Sequence, residues 1–78
     1  MQHAALAYAL RQRQHAFGQV PDEMIEALSD DAIIDSYITC SCCGRKQVTP
    51  QQLSLAIALA TDTESFFTFC DQLSGHHA

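Results

Sequence analysis

The chain has 78 residues, and its 9 acidic and 4 basic side chains give a net charge of −5. A domain of this size hides only about 60% of the surface that its unfolded chain exposes, so small domains commonly add a metal, disulfides or a partner subunit to their core. An acidic surface repels nucleic-acid phosphates, and the chain has no tryptophan on which bases could stack. Nucleic acid is therefore an unfavourable partner.

The sequence pattern predicts a single all-α domain of four to five short helices over residues 1–78. The first helix is expected over 3–17, because this segment is rich in alanine and lacks glycine and proline. Gly18 is suited to end the helix in a left-handed conformation. The predicted inward face carries Leu6, Leu10 and Phe17, with Tyr8 near its edge.

Two short helices are predicted next, with almost no linker between them. Pro21 suits the first turn of the second helix, expected over 21–28, and Ser29 is a suitable N-cap for the third, which should end near Ile38. Acidic residues in the first turn of each helix are favoured by the helix dipole. The predicted inward residues are Met24, Ile25, Leu28, Ile33, Ile34, Tyr37 and Ile38.

The clearest start signal belongs to the fourth helix. Thr49 is the predicted N-cap, Pro50 is the first helical residue, and Gln52 completes a capping box. Val48 and Leu53 are placed to pack together as a hydrophobic staple. The body of this helix, LSLAIALA, is apolar on nearly every side, which predicts burial against more than one neighbour or against another subunit.

A fifth helix is predicted over 63–73, capped by Asp62 or by a second capping box. Gly75 is expected to end this helix, and the tail over 75–78 is expected to fray. The predicted inward stripe carries Phe66, Phe69, Cys70 and Leu73, whereas Phe67 lies off it. We predict no strand and no internal repeat.

Neither a membrane helix nor a signal peptide is predicted. The longest apolar run, LAIALA, is far shorter than the ~18 residues of a membrane helix. The amino-terminal segment lacks a basic stretch ahead of its apolar residues and a small-residue cleavage site. We therefore expect a cytoplasmic protein, in a reducing compartment where clustered cysteines more often bind metal or change redox state than form structural disulfides.

Three of the four cysteines lie in the segment TCSCCGRKQ, between the third and fourth helices. Cys40 and Cys43 have the Cys-x-x-Cys spacing that can aim two thiolates at one tetrahedral zinc, and Gly44 permits the tight turn that follows such pairs. Arg45 and Lys46 favour the thiolate forms. The half-site resembles the knuckle of zinc-ribbon and treble-clef proteins, over five residues that identify no family.

A closed zinc site needs four ligands, and the chain has no second Cys-x-x-Cys pair. The predicted third ligand is Cys70 and the predicted fourth is His76, with Cys42, His77 or His15 as alternatives. A competing interpretation makes Cys70 a core residue, because it shares the apolar stripe of the fifth helix and a buried cysteine behaves as a small hydrophobe. Zinc is the one cofactor that the sequence indicates.

Two other interpretations use the same segments. A Cys-x-x-Cys pair can act as a thiol redox centre, but such pairs usually sit between a strand and a helix, a context that is missing here. The short helices over 21–28 and 29–38, and the hairpin of the fourth and fifth helices, could form a helix-turn-helix DNA-binding unit. The fifth helix, however, offers mostly acids where base-reading side chains are needed. No catalytic motif is present, and we expect no enzymatic activity.

Two surfaces are predicted to bind a protein partner. An acidic face on the second and third helices suits a basic partner, and an apolar surface on the fourth and fifth helices suits a homodimer. Small size, acidity and the lack of catalytic groups predict a non-enzymatic regulatory protein of the kind that bacteria and their mobile elements encode. The acidic face comprises Asp22, Glu23, Glu26, Asp30, Asp31 and Asp35, and the apolar surface comprises Leu55, Leu59 and Phe67.

Overall fold

Five helices make up the computed structural model, which describes residues 1–40 and 43–74. The predicted all-α class is confirmed, and this part of the chain contains no strand. None of the described helices combines the length and the apolarity that crossing a bilayer requires. The helices are α1 (His3–Phe17), α2 (Asp22–Ala27), α3 (Asp30–Ile38), α4 (Pro50–Leu59) and α5 (Thr63–Ser74).

The first helix, α1, lies at the centre of the fold because it packs against α2, α3 and α5, whereas α4 packs mainly against α5. It ends as predicted at Gly18, which has a φ of 68° and donates its amide to the carbonyl of Gln14 at 3.3 Å. Glycine adopts this left-handed conformation at little cost because it has no Cβ. The chain can therefore turn sharply from α1 into α2.

A single apolar core joins α1, α3, α4, α5 and the segment before α4. Burying a large apolar side chain contributes about 1.5–3 kcal/mol, so this cluster is the main source of stability. It confirms most of the predicted inward residues of α1, α3 and α5. The buried residues are Leu6, Ala7, Leu10, Ile33, Ile34, Ile38, Val48, Ala56, Ala60, Phe66 and Cys70.

The prediction for α2 is partly wrong. The helix begins at Asp22 with Pro21 as its N-cap, and Ile25 is its one buried residue. Met24 and Leu28, both predicted to face inward, are exposed instead. A helix of six residues makes fewer than two turns, so it can present little more than one side chain to the core.

The starts of α3, α4 and α5 follow the predicted caps. The Ser29 hydroxyl accepts a hydrogen bond from the amide three residues later, at 3.1 Å. At α4 the Thr49 hydroxyl accepts from the Gln52 amide at 3.1 Å, and the Gln52 side chain accepts from the Thr49 amide at 2.9 Å. At α5 the Asp62 carboxylate accepts from the Ser65 amide at 2.8 Å. These bonds satisfy amides that have no partner inside their helices.

The amino-terminal ammonium group lies against the carboxyl end of α4. It donates to the carbonyls of Ile57 and Ala60 at 3.0 and 2.7 Å. Carbonyls at a helix end lack intrahelical partners and carry the negative end of the helix dipole, so a positive charge is favourable there. The contact holds the beginning of α1 against the end of α4.

Candidate functional site

Cys40 and Cys43 lie in a tight hairpin that follows α3. The amide of Cys40 donates to the carbonyl of Arg45 at 2.8 Å, and the amide of Gly44 donates to the carbonyl of Cys40 at 2.8 Å. Cys40 is buried, whereas Cys43 is exposed. The segment between α3 and α4 therefore pairs with itself, and the pairing orients the backbone at Cys40 and Gly44.

Gly44 and the base of the hairpin shape this turn. Gly44 has a φ of 71°, and a Cβ built there would meet nothing within 4 Å. The left-handed backbone alone therefore favours glycine at this position. The amide of Gln47 closes the base by donating to the carbonyl of Ile38 at 2.7 Å. These bonds hold the described residues on either side of the turn close together.

Cys70 lies in the apolar core, on α5. Burial, with a smaller contribution from the charge of Asp71, raises the pKa of the Cys70 thiol to about 11. The thiol is therefore protonated at neutral pH, as expected of a core residue. Cys70 lines the same cleft as Ile38 and Gln47, which form the base of the cysteine hairpin. Cys70 thus shares a cleft with the hairpin while remaining a neutral core thiol.

The complete predicted ligand set cannot be assembled from the described residues. Among residues 1–40 and 43–74, no group of three or more histidine, cysteine or acidic side chains is placed to hold a metal ion. The predicted ligand His76 and the alternatives Cys42 and His77 lie outside these residues. The zinc hypothesis therefore depends on the Cys40 and Cys43 half-site.

His15, the remaining alternative ligand, is bound elsewhere. Its Nδ1 lies 2.8 Å from the carboxylate of Asp22 and its Nε2 lies 2.8 Å from that of Glu26. These hydrogen bonds, the one to Asp22 first, raise the pKa of His15 above its ordinary value of 6.5. Both ring nitrogens can donate to the two carboxylates at once only when the ring is protonated. A ring that donates to both is an imidazolium. It has no lone pair to offer a metal.

Most acids of the predicted acidic face contact another side chain of the same chain. Five of its six acids contact a basic or histidine side chain from α1 or from the cysteine hairpin. A basic partner would compete with these intramolecular contacts, so the face attracts cations less than its composition suggests. The pairs are Asp22 and Glu26 with His15, Asp30 with Arg11, Asp31 with His3, and Asp35 with Lys46.

One side of α4 exposes apolar side chains to solvent. Leu55 is 49% exposed and Leu59 is 53% exposed, and Ala56 is the only buried residue of the helix. Gln51 and Ala58 share the outward side with the two leucines, at helical spacing. We call these four outward residues, Gln51, Leu55, Ala58 and Leu59, the α4 stripe. Its own chain therefore leaves one side of α4 uncovered, and burial of that side against another subunit, the second possibility that its sequence indicates, stays a prediction.

Phe67, predicted to extend this apolar surface, is half-buried in a different place. Its ring stacks on that of Tyr37, with centroids 5.6 Å apart and an interplanar angle of 27°. The guanidinium of Arg13 lies 5.1 Å from the Phe67 centroid and 5.7 Å from that of Phe17. Phe17, predicted to face inward, is exposed at the edge of this stack. Phe67 therefore does not extend the exposed side of α4, and further exposed apolar side chains lie on α1 and α2.

A cleft of about 360 Å³ opens beside the stack, between α1, α3 and α5. The hydroxyl of Tyr37 is buried at this cleft and makes no hydrogen bond within the described part of the chain, although the Gln14 side chain approaches it. Arg13, also at the cleft, forms an ion pair with Glu64 at 3.0 Å. Sequence patterns could not indicate this arrangement, because its members come from three different helices.

The basic side chains are dispersed, and most of them are paired. Arg11, Arg13 and Lys46 each form an ion pair with an acid, and Arg45 lies exposed in the hairpin. The exposed positions of α5 offer acids, a threonine and a glutamine rather than bases. The described surface thus presents no basic patch to a phosphate backbone.

Comparison with protein-family models, with curated proteins and with solved structures gives no match for this chain.

Proposed function

We propose that this chain is a small, non-enzymatic regulatory domain that binds a protein partner through the α4 stripe. The observation that carries the proposal is the exposure of Leu55 and Leu59 on a helix with no charged residue. Covering the exposed halves of two leucines gains on the order of 2 kcal/mol. An apolar centre within a polar surface is the usual anatomy of a protein interface.

Charge supports a protein partner over nucleic acid. The chain carries a net charge of −5, and three of its four basic side chains are already paired with acids. Affinity for nucleic acid depends on cations that neutralise phosphates. The α4 stripe is also better supported than the acidic face, because the acids are mostly engaged by the chain's own cations.

A comparison of two charge variants tests the proposal. Leu55→Glu places a carboxylate in the α4 stripe, whereas Met24→Glu places the same charge at an exposed apolar residue on α2. Both variants and the wild type are used as baits in extracts of the source organism, and the recovered proteins are quantified. We expect at least one partner to be retained by Met24→Glu and lost by Leu55→Glu, because burying an unpaired carboxylate in an apolar contact is costly.

Direct binding then checks each candidate. The purified partner is titrated into the wild type and both variants, and circular dichroism confirms that each variant is folded. Equal affinity of the partner for Leu55→Glu and wild type would contradict the assignment of binding to α4.

A structural zinc site is a second proposal, favoured by the hairpin that carries Cys40 and Cys43. Zinc would supply a covalent cross-link to a domain whose own core is small. Two further ligands are needed, and Cys70 is one candidate that lines the cleft at the base of the hairpin. Zinc would have to displace the proton of a thiol whose pKa is raised to about 11.

Metal content and stability test the zinc proposal together. Stoichiometric zinc is expected in tag-free protein purified under reducing conditions, and Cys40→Ser and Cys43→Ser should each remove it and lower stability non-additively, because one lost ligand already empties the site. Cys70→Ala separates the two roles of that residue: zinc is lost if Cys70 is a ligand and retained if it is a core residue. Metal-free wild type with a reversible disulfide between Cys40 and Cys43 would favour the redox alternative instead.

A further inference from the structure

The cleft between α1, α3 and α5 combines aromatic rings with two opposite charges. Its volume of about 360 Å³ lies at the lower end of the range for small-molecule sites, which is about 300–1,000 Å³. Such sites are mostly apolar and hold a few convergent polar groups. The cleft therefore has room for a ligand with a single ring. Among its lining residues are Phe17, Tyr37, Phe67, Arg13 and Asp71.

Two hydrogen-bond donors lie close together in this cleft. The Tyr37 hydroxyl is buried and has no acceptor within the described part of the chain. Burial raises the pKa of Tyr37, whereas the Gln14 side chain and the charge of Arg13 lower it, so the guanidinium lies near the phenol oxygen. A buried donor without an acceptor is unfavourable. The acceptor that Tyr37 lacks is the kind of group that a guanidinium also binds.

Arg13 retains donors for a second carboxylate. Its one ion pair, with Glu64, uses the Nη1 atom at 3.0 Å, and the Glu64 side chain is 75% exposed. A guanidinium has five N–H donors, and an exposed ion pair contributes little to stability. The faces of Phe17 and Phe67 hold the guanidinium from two sides, with centroids at 5.7 and 5.1 Å. A ligand carboxylate can therefore bind Arg13 without breaking a strong contact.

The negative charge of Asp71 lies farther along α5. Phe67 and Asp71 are four residues apart, so they share one face of the helix and are separated by about 6 Å along its axis. Glu64, which pairs with Arg13, precedes Phe67 by three residues. The positive and negative groups therefore flank the Phe67 ring along α5. The charge of Asp71 also helps to raise the pKa of Cys70, another lining residue, so its field acts within the cleft.

We infer that this cleft binds an aromatic amino acid as its zwitterion. The ligand carboxylate lies at Arg13 and Tyr37, its ammonium group lies at Asp71, and its ring packs against Phe67. Aromatic rings gain from offset or edge-to-face contacts with one another, beyond the area that they bury. The inference is independent of the protein contact proposed for α4, because none of the described lining residues belongs to that helix.

The two charges of the cleft favour a zwitterion over other aromatic ligands. An aromatic acid without an amine gains from Arg13 but is repelled by Asp71, and an aromatic amine has the opposite problem. An aliphatic amino acid satisfies both charges but has no ring to pack against Phe67. Selectivity therefore comes from repulsion as well as attraction.

A titration with four matched compounds tests this selectivity. The isotopically labelled full chain is titrated with phenylalanine, 3-phenylpropionate, phenethylamine and leucine, and amide chemical shifts are followed by nuclear magnetic resonance. Phenylalanine should cause saturable shifts at the cleft residues with a Kd on the order of 1 mM. The other three should bind at least about threefold more weakly, because each lacks one of the contacts. Absence of saturable shifts with phenylalanine at about 10 mM, or equal binding of all four compounds, would overturn the inference.

Charge variants assign each end of the ligand. Asp71→Asn should weaken the binding of phenylalanine about threefold to fivefold and should not weaken that of 3-phenylpropionate. Arg13→Gln should weaken both of these compounds and should not weaken phenethylamine. Arg45→Gln is the matched control, because it removes one positive charge from an exposed residue outside the described lining of the cleft. Circular dichroism confirms that each variant is folded. Equal losses for phenylalanine and 3-phenylpropionate in Asp71→Asn would contradict the proposed position of the ammonium group.

Tyr37→Phe separates binding from folding. The substitution removes only the hydroxyl, which has no acceptor in the described structure, so stability should stay the same or increase. The affinity for phenylalanine should nevertheless fall, because the ligand carboxylate loses a donor. A decrease in affinity without a decrease in stability supports the site. Unchanged affinity would overturn the placement of the carboxylate at Tyr37.

Discussion

At the scale of single residues, His15 is a side chain whose contacts make stability depend on pH. Its two ring nitrogens contact the carboxylates of Asp22 and Glu26, both on α2. These contacts raise its pKa above 6.5, with the Asp22 hydrogen bond as the largest cause. These contacts join α2 to α1 beside Ile25, which is the one buried residue of α2.

The raised pKa predicts a loss of stability with increasing pH. A group whose pKa is higher in the folded state stabilises the fold fully below its unfolded-state pKa, and this contribution is lost as the pH rises through the folded-state value. For His15 the loss therefore begins above about pH 6.5. Urea denaturation at a series of pH values should show a steeper decline for wild type than for His15→Gln, which has no titrating ring.

If the free energy of unfolding decreased equally steeply with pH in wild type and in His15→Gln, the imidazolium contact would not contribute to stability. Nitrogen chemical shifts of the ring provide an independent measurement, because an imidazolium carries a proton on both nitrogens. A neutral ring at pH 6 would contradict the assigned contacts.

At the scale of secondary structure, the capping box of α4 is the best-defined local feature. Thr49→Ala removes the hydroxyl that accepts from the Gln52 amide, and loss of such a cap typically costs about 1 kcal/mol. The expected decrease in the free energy of unfolding is measured by urea denaturation. Thr68→Ala is the matched control, because the Thr68 hydroxyl bonds to a carbonyl within α5 and caps no helix end. A control that loses as much stability as Thr49→Ala would contradict the capping argument.

The sequence predictions succeeded where the interacting residues are close together in the chain. The caps at Ser29, Thr49 and Asp62 were predicted because each depends on residues three positions apart. Gly44 and the cysteine pair predicted a tight turn for the same reason. Residues within one short segment carried all of these signals.

Such local sequence patterns could not predict the contacts between helices. The apolar sequence of α4 indicated burial but could not show how many neighbours cover the helix. The acids of α2 and α3 suggested a binding face because their partners, His15 and Arg11, lie on α1. The prediction that Met24 faces inward was wrong because the tertiary fold decides the length of α2 and its contacts with α1, and the sequence pattern does not show either of them.

At the scale of the whole molecule, a small core makes stability sensitive to single side chains. Domains are generally stable by about 5–15 kcal/mol, and removal of a buried leucine side chain costs about 2–5 kcal/mol. Leu10→Ala is therefore expected to lose a large fraction of the stability, because Leu10 is fully buried. Leu59→Ala should change stability by less than about 0.5 kcal/mol at concentrations where the protein is monomeric.

Urea denaturation of the two leucine variants compares the core with the α4 stripe directly. Similar losses in both variants would mean that α4 is covered on both sides, contrary to its exposure in the structure. The comparison is well matched because the two substitutions remove the same atoms.

The stack of Tyr37 on Phe67 gives the molecule an intrinsic optical reporter. The chain has no tryptophan and two tyrosines, and the other tyrosine, Tyr8, is 65% exposed. Near-ultraviolet circular dichroism is lost when side-chain packing is lost, even where helices persist. The tyrosine band should therefore come mainly from Tyr37 and report on the junction of α1, α3 and α5. Binding or metal loss that loosens this junction can be followed without attaching a dye.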